Sequence, residues 1–199
     1  ASDVYKRQQS QMQNVGTLLD GDVNTKLQNY SKQLRGVSND TGIATSDLTD
    51  GLYQVVSAFG ESEDNVKQLE IAAKAAKAGN ATTTDSVNML SSVTKAYGDT
   101  SAAAMEKAAD LAFLTVKLGQ TSFPELAASM GGAIAMGSQL GASQEELYGV
   151  MATLTGVTGN TAEVSTQLEG VLSGFLAPTD SLSKALKKMG YSSGAAALE

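Results

Sequence analysis

The sequence predicts an all-α protein, a compact bundle of about eight short helices preceded by one longer amphipathic helix. Three observations carry this. From about residue 45 onward one grammar recurs: a Ser, Thr or Asn near an acid, then apolar residues at helical spacing, then a Gly. That is the start and stop pattern of a short helix. No run of useful length alternates apolar and polar residues, so no strand is predicted. Aromatics make up only 5% of the 199 residues and Trp is absent, while 42% are hydrophobic. A core made of Ala, Leu, Val and Met suits helices packed closely through small residues.

The elements follow in order. Met12, Val15, Leu19, Val23, Leu27, Tyr30, Leu34 and Val37 advance by steps of three or four residues. That periodicity predicts a single long helix over residues 1–36, although Gly16 and Gly21 weaken its first half. Such a helix either packs on its own domain or continues outward as a coiled coil. Thr45 or Ser46 opens the next helix, with Leu48, Leu52, Val55, Val56 and Phe59 on one face and Gly60 as its stop. Ser62 begins another, ending at Gly79, and Thr83 or Thr84 a third, ending at Gly98. Thr100 or Ser101 leads into Met105, Ala108, Leu111, Leu114 and Leu118, closed by Gly119.

Two starts read as full capping boxes, Ser122-Phe-Pro-Glu125 and Ser143-Gln-Glu-Glu146. In each, the hydroxyl accepts from the backbone N–H three residues on and the Glu reaches back. The helix after Ser122 is expected to run through Leu126, Met130, Ile134 and Leu140 to Gly141. Asn160 or Thr161 starts a helix that Pro178 ends, and a last short helix spans Thr179 to Met189. The domain reading is a helix over 1–36, a helical core over 37–190, and a tail or vector scar over 191–199. Asp3-Val-Tyr-Lys-Arg-Gln8 resembles the translated end of a sequencing-library transposon, so neither terminus weighs in the fold. The chain does not begin with Met and is expected to be part of a longer protein.

Composition excludes several functions. Histidine and cysteine are both absent. A Ser-His-Asp or Cys-His mechanism is therefore impossible, and a zinc site would need carboxylates alone. The net charge of −7 argues against a nucleic-acid surface. The longest uncharged run, Leu126 to Gln144, carries three Ser, two Gln and four Gly, too polar for an ordinary membrane span. Asp47 with Asp50, and Glu61, Glu63 and Asp64, are the tight acid clusters, and they fall at predicted helix N-termini, where negative charge is favourable. No catalytic, cofactor-binding or metal-binding residues are assigned.

Met130-Gly131-Gly132-Ala-Ile-Ala-Met-Gly137 is the unusual stretch. Paired glycines in a helix cost about 1 kcal/mol each relative to Ala. Close helix–helix contact is the favoured explanation, a bend the second. Gly156 and Gly159 read as a flexible loop between helices. From Leu126 to Ala162 the only charges are Glu145 and Glu146. This segment is expected either to present a weakly polar face for self-association or contact with a partner, or to be buried on all sides.

Three stretches, read in order, carry a resemblance: Leu52-Tyr-Gln-Val-Val-Ser-Ala-Phe-Gly60, Leu118-Gly-Gln-Thr-Ser-Phe-Pro-Glu-Leu-Ala127 and Leu154-Thr-Gly-Val-Thr-Gly-Asn-Thr-Ala-Glu163. With Ala96-Tyr-Gly98 and Leu176-Ala-Pro-Thr179, they make the region from Val37 to Gly190 resemble the core of phage tail tape measure proteins. The resemblance implies a structural virion protein of a long-tailed phage or prophage. Such proteins lie in the tail lumen, set tube length during assembly in the host cytoplasm, and leave before the genome on ejection. It implies contacts with the tail tube protein, tail assembly chaperones and baseplate or tail-tip proteins. It also admits self-association and membrane contact on ejection, and no sequence-specific nucleic acid. It carries over no catalytic residue. Two other readings compete: a stand-alone helical binding or scaffold module, and an enzyme such as a peptidoglycan hydrolase, for which the residues offer no support.

Overall fold

A computed structural model describes residues 2–198, with side chains from Gln9 onward. The side chains of the Asp3–Gln8 stretch, and Glu199, lie outside the described residues. Helix makes up 77% of the chain, and no strand occurs among the described residues. The helices are α1 (Ser2–Gly16), α2 (Val23–Thr41), α3 (Thr45–Phe59), α4 (Asn65–Gly79), α5 (Thr83–Ala96), α6 (Ala102–Leu118), α7 (Phe123–Ser129), α8 (Gly131–Gln139), α9 (Gln144–Thr158), α10 (Thr161–Leu176) and α11 (Asp180–Lys188). The chain divides into two compact units, residues 1–94 with 99–109, and residues 95–98 with 110–199.

Two helices expected from the sequence are each two helices in the structure. The first is the N-terminal one, which breaks between Gly16 and Val23. Gly21 takes a left-handed conformation (φ +73°). Asp22 then caps α2, accepting from the Thr25 N–H at 3.2 Å and the Thr25 hydroxyl at 2.7 Å. Helix α1 packs against α2 and α3. A Cβ on Gly16 would sit 3.1 Å from Val23 Cγ1, so the reversal closes on a glycine. The apolar period ran through the break because Val15, Leu19 and Leu34 are buried on both sides of it.

The second division separates α7 from α8 at Met130, whose ψ of −11° departs from the helical value near −42°. Ser165 of α10 donates its hydroxyl to the Ser129 carbonyl at 2.8 Å, satisfying one group at the end of α7. Both explanations of the glycine pair have a place here. A Cβ on Gly132 would come 2.6 Å from the Glu169 carboxyl carbon, and one on Gly137 would come 2.5 Å from Leu147 Cδ1. Gly131 has open space beside it and marks the bend.

In the first unit, Leu48, Leu52, Val55, Leu69, Ala72, Val87, Leu90 and Met105 are fully buried. Gly51 lets α3 approach closely: a Cβ there would lie 2.6 Å from Thr83 Cγ2. Asn65 is also fully buried. Its side chain accepts from the Ser62 N–H (2.8 Å) and the Tyr30 hydroxyl (3.1 Å), and donates to the Gly60 carbonyl (3.0 Å). Gln68 beside it donates to the Thr100 carbonyl at 2.8 Å. The expected Ser62 cap is therefore replaced by an Asn65 side chain that ties together α2, the α3–α4 turn and α4.

In the second unit, α10 packs against α7, α8 and α9. Phe123, Leu126, Met130, Ala133, Met151 and Val164 are buried with almost no exposure. Phe113 and Phe123 stack with centroids 5.0 Å apart. Ser143 forms the complete capping box expected of it. Ser122 forms half of one. Its hydroxyl accepts from the Glu125 N–H at 3.4 Å, but the carboxylate bonds the hydroxyl, not the Ser122 backbone.

Candidate functional site

The acid clusters sit where the sequence places them, on the surface. Asp47 and Asp50 are exposed on α3 and border an open groove of about 600 Å³ with Lys77 and Thr82 to Thr84. Gln11 donates to Asp50 at 2.9 Å, and the Lys77 ammonium donates to the Thr41 carbonyl at the end of α2. Glu61 pairs with Lys26 at 2.7 Å, while Glu63 and Asp64 face solvent. Exposed carboxylates of this kind lack the enclosed cleft that carboxylate chemistry requires. Among the described residues, no group of three or more His, Cys, Asp or Glu could hold a metal ion. No helix among them is long and apolar enough to cross a membrane.

The sharpest local construction is a corner of the second unit. It joins two stretches that are about 36 residues apart in the chain (118–127 and 154–163). Gly119 ends α6 against α9, where an added Cβ would lie 2.9 Å from the Ala152 carbonyl. Gln120 donates its amide to the Gly156 carbonyl at 3.3 Å. The Thr161 hydroxyl donates to the Thr121 hydroxyl at 2.7 Å. Asn160 caps α10 by accepting from the Glu163 N–H at 3.1 Å. The reading of Gly156 and Gly159 as a flexible loop is thus corrected. Gly156 belongs to α9, and Gly159 is its left-handed C-terminal cap (φ +64°). A hydrogen bond from Gln120, invisible to local sequence grammar, holds Gly156, while Gly159 donates its N–H to the Thr155 carbonyl of its own helix.

Next to this corner, the Thr115 hydroxyl donates to the Tyr148 carbonyl at 3.2 Å and fixes α6 on α9. Tyr97 donates its hydroxyl to the Ala142 carbonyl at 2.8 Å. Burial, then the charges of Glu145 and Glu146, push its phenol up to about 12. Burial and the neighbouring Tyr97 raise Tyr148 as well. These tyrosines are structural and stay neutral at physiological pH.

All the large apolar side chains that are exposed among the described residues lie in the second unit, Val157 (83%), Met189 (69%), Leu118 (65%) and Val171 (57%) foremost. Helix α9 buries Leu147, Tyr148, Met151 and Thr155 and exposes Gly149, Val150, Thr153, Leu154 and Val157 on its other side. The charge-poor segment is therefore not buried on all sides. Thr153 is exposed, and Ser138 is half-buried. Composition gave the low charge of this face; only the fold shows which half of α9 it occupies.

The model of one protein family, described as phage-related minor tail protein, matches residues 31–198. No curated protein and no solved structure matches the chain.

Proposed function

Because the chain belongs to the phage-related minor tail protein family, we propose that it is the folded core of a tape measure protein. In this reading it is a structural component of the tail lumen, without catalytic chemistry, and belongs to a longer protein whose length sets that of the tail tube. It is made in the host cytoplasm and leaves the tail before the genome. Its contacts are with the tube protein, tail assembly chaperones and tail-tip proteins, with the host membrane a further contact on ejection.

The observation that carries the reading is the joining of two stretches of the tape-measure resemblance, 118–127 and 154–163, by the hydrogen bonds Gln120–Gly156 and Thr161–Thr121. Residues with that resemblance thus maintain one built feature of a helical domain inside the family match. A folded domain of this size cannot itself be the ruler, since even a fully helical chain rises only about 1.5 Å per residue. In this reading the ruler length comes from chain outside the domain.

Tail length in a phage carrying this gene tests the proposal. In-frame deletions outside residues 31–198 should shorten the tail by about 1.5 Å per helical residue removed. Infectious particles with tails of unchanged length would sink the tape-measure reading and favour a scaffold role, leaving family membership untouched.

A further inference from the structure

The outer face of α9 carries a continuous apolar row, Val150, Leu154 and Val157, exposed by 37%, 39% and 83%. Their spacing of four and then three residues puts them on one stripe. Glu146 stands one turn before the row, and Glu163 stands on the first turn of α10 beyond it. Between Leu118 and Ser183 the chain has six acids and no Lys or Arg. Lys117 does not offset them. It lies two residues from both Thr115 and Gly119, which face α9, and so on the far side of α6. The row is therefore apolar with an acidic border.

The opposite chemistry occurs at the C-terminal end of the same unit. Lys184, Lys187 and Lys188 on α11 are its only basic residues after Lys117, and all three are exposed. Met189 (69%) and Tyr191 (38%) expose apolar surface beside them. Lys187 and Lys188 have no ion-pair partner among the described residues. The chain's own α11 leaves the row uncovered, since Val157 remains 83% exposed, and Leu186 is buried in place.

We propose that the α9 row of one copy docks the lysine-rich α11 end of a second copy. Charge selects this pairing. Two α9 rows face to face would oppose Glu146 and Glu163 with their like, whereas α11 brings lysines to the acids and Met189 and Tyr191 to the valines. The contact joins two different surfaces, so it is head-to-tail and either closes into a ring or continues as a file of copies.

Sedimentation velocity on the full chain tests this through a charge exchange. The wild type should associate with rising concentration, and less so in high salt. Thr153→Lys/Glu163→Lys makes the row basic, and Lys187→Glu/Lys188→Glu makes the end acidic. Each double variant alone should lose association by about tenfold or more. An equimolar mixture of the two should recover it, because each variant now complements the other. Recovery in the mixture also shows that both variants are folded. If Thr153→Lys/Glu163→Lys melts early, Val157→Ser replaces it and should weaken wild-type association. A wild type that stays monomeric at about millimolar concentration overturns the proposal. So does association that neither charge change affects, or a mixture of folded variants that stays monomeric.

Discussion

The two units use the same helical alphabet to different ends. The first hides its large apolar side chains and spends polar groups inside. Asn65 and Gln68 are buried in a hydrogen-bonded network, and charged residues pair on its surface, as Lys26 does with Glu61 and Glu70 with Lys67 and Lys74. The second unit leaves Leu118, Val157, Val171 and Met189 in solvent and carries few charges along α7 to α10. Burying an apolar group stabilises a fold, while exposing a row of them suits a surface that meets something else. The contrast makes the same kind of substitution behave differently in each unit.

The largest effect is expected from Asn65→Leu. It removes the acceptor for the Ser62 N–H and leaves the buried Tyr30 hydroxyl without its partner, at a cost of about 3 kcal/mol. Val157→Ser, in the second unit, should change stability by no more than about 0.5 kcal/mol because the site is already in water. Thermal or urea unfolding of both variants measures this. Equal losses would erase the distinction between a network that holds the fold and a surface that does not.

A smaller effect separates two glycines inside the second unit. Gly119→Val drives a side chain into the α9 backbone near Ala152 and should cost about 1–3 kcal/mol. Gly149→Ala fills open space on the exposed side of a helix and should stabilise by about 0.5–1 kcal/mol. A destabilising Gly149→Ala would mean that the outer side of α9 is already covered. Smaller again is the pair of caps. Ser143→Ala should cost about 1 kcal/mol and Ser122→Ala less, because only Ser143 completes its box. Equal losses would contradict the half-formed box at Ser122.

Helix existence was legible because caps and stops are local. Ser101, Ser122, Ser143, Asn160 and Thr179 all cap where the grammar puts them. The divisions at Gly16–Val23 and at Met130 were not legible, because the apolar residues on either side serve one core and keep the helical period across the break. Asn65 was missed because Ser62 looked like a better cap and the long-range partner of Asn65, Tyr30, is set by tertiary packing. The paired corner was half legible. Both stretches stood out, but nothing local says that Gln120 reaches Gly156. The one usable signal was the density of Gly and Thr, which suits close backbone approach and was read instead as looseness.

The finest test compares one depressed carboxylate from each unit. Glu70 is held below its usual value chiefly by a hydrogen bond from the Lys74 ammonium, and Glu146 by the Ser143 backbone N–H and then its hydroxyl. A lowered folded pKa stabilises the protein above the ordinary value of 4.5 and loses that contribution as pH falls through the lowered value. Glu70→Gln and Glu146→Gln should therefore each melt below wild type at pH 7, and each gap should close on acidification through the depressed pKa. Salt then tells them apart. The Glu70 gap depends on a surface lysine and should shrink at about 1 M salt, where charges are screened beyond about 3 Å. The Glu146 gap rests on hydrogen bonds within its own cap, and a Gln there keeps the box geometry, so the residual difference should persist in salt. A Glu146 gap that is the same at pH 3 and pH 7 would show that the Ser143 cap does not favour the ionised acid. Two gaps that fall together with salt would show that both units hold their surface acids by the same long-range charge.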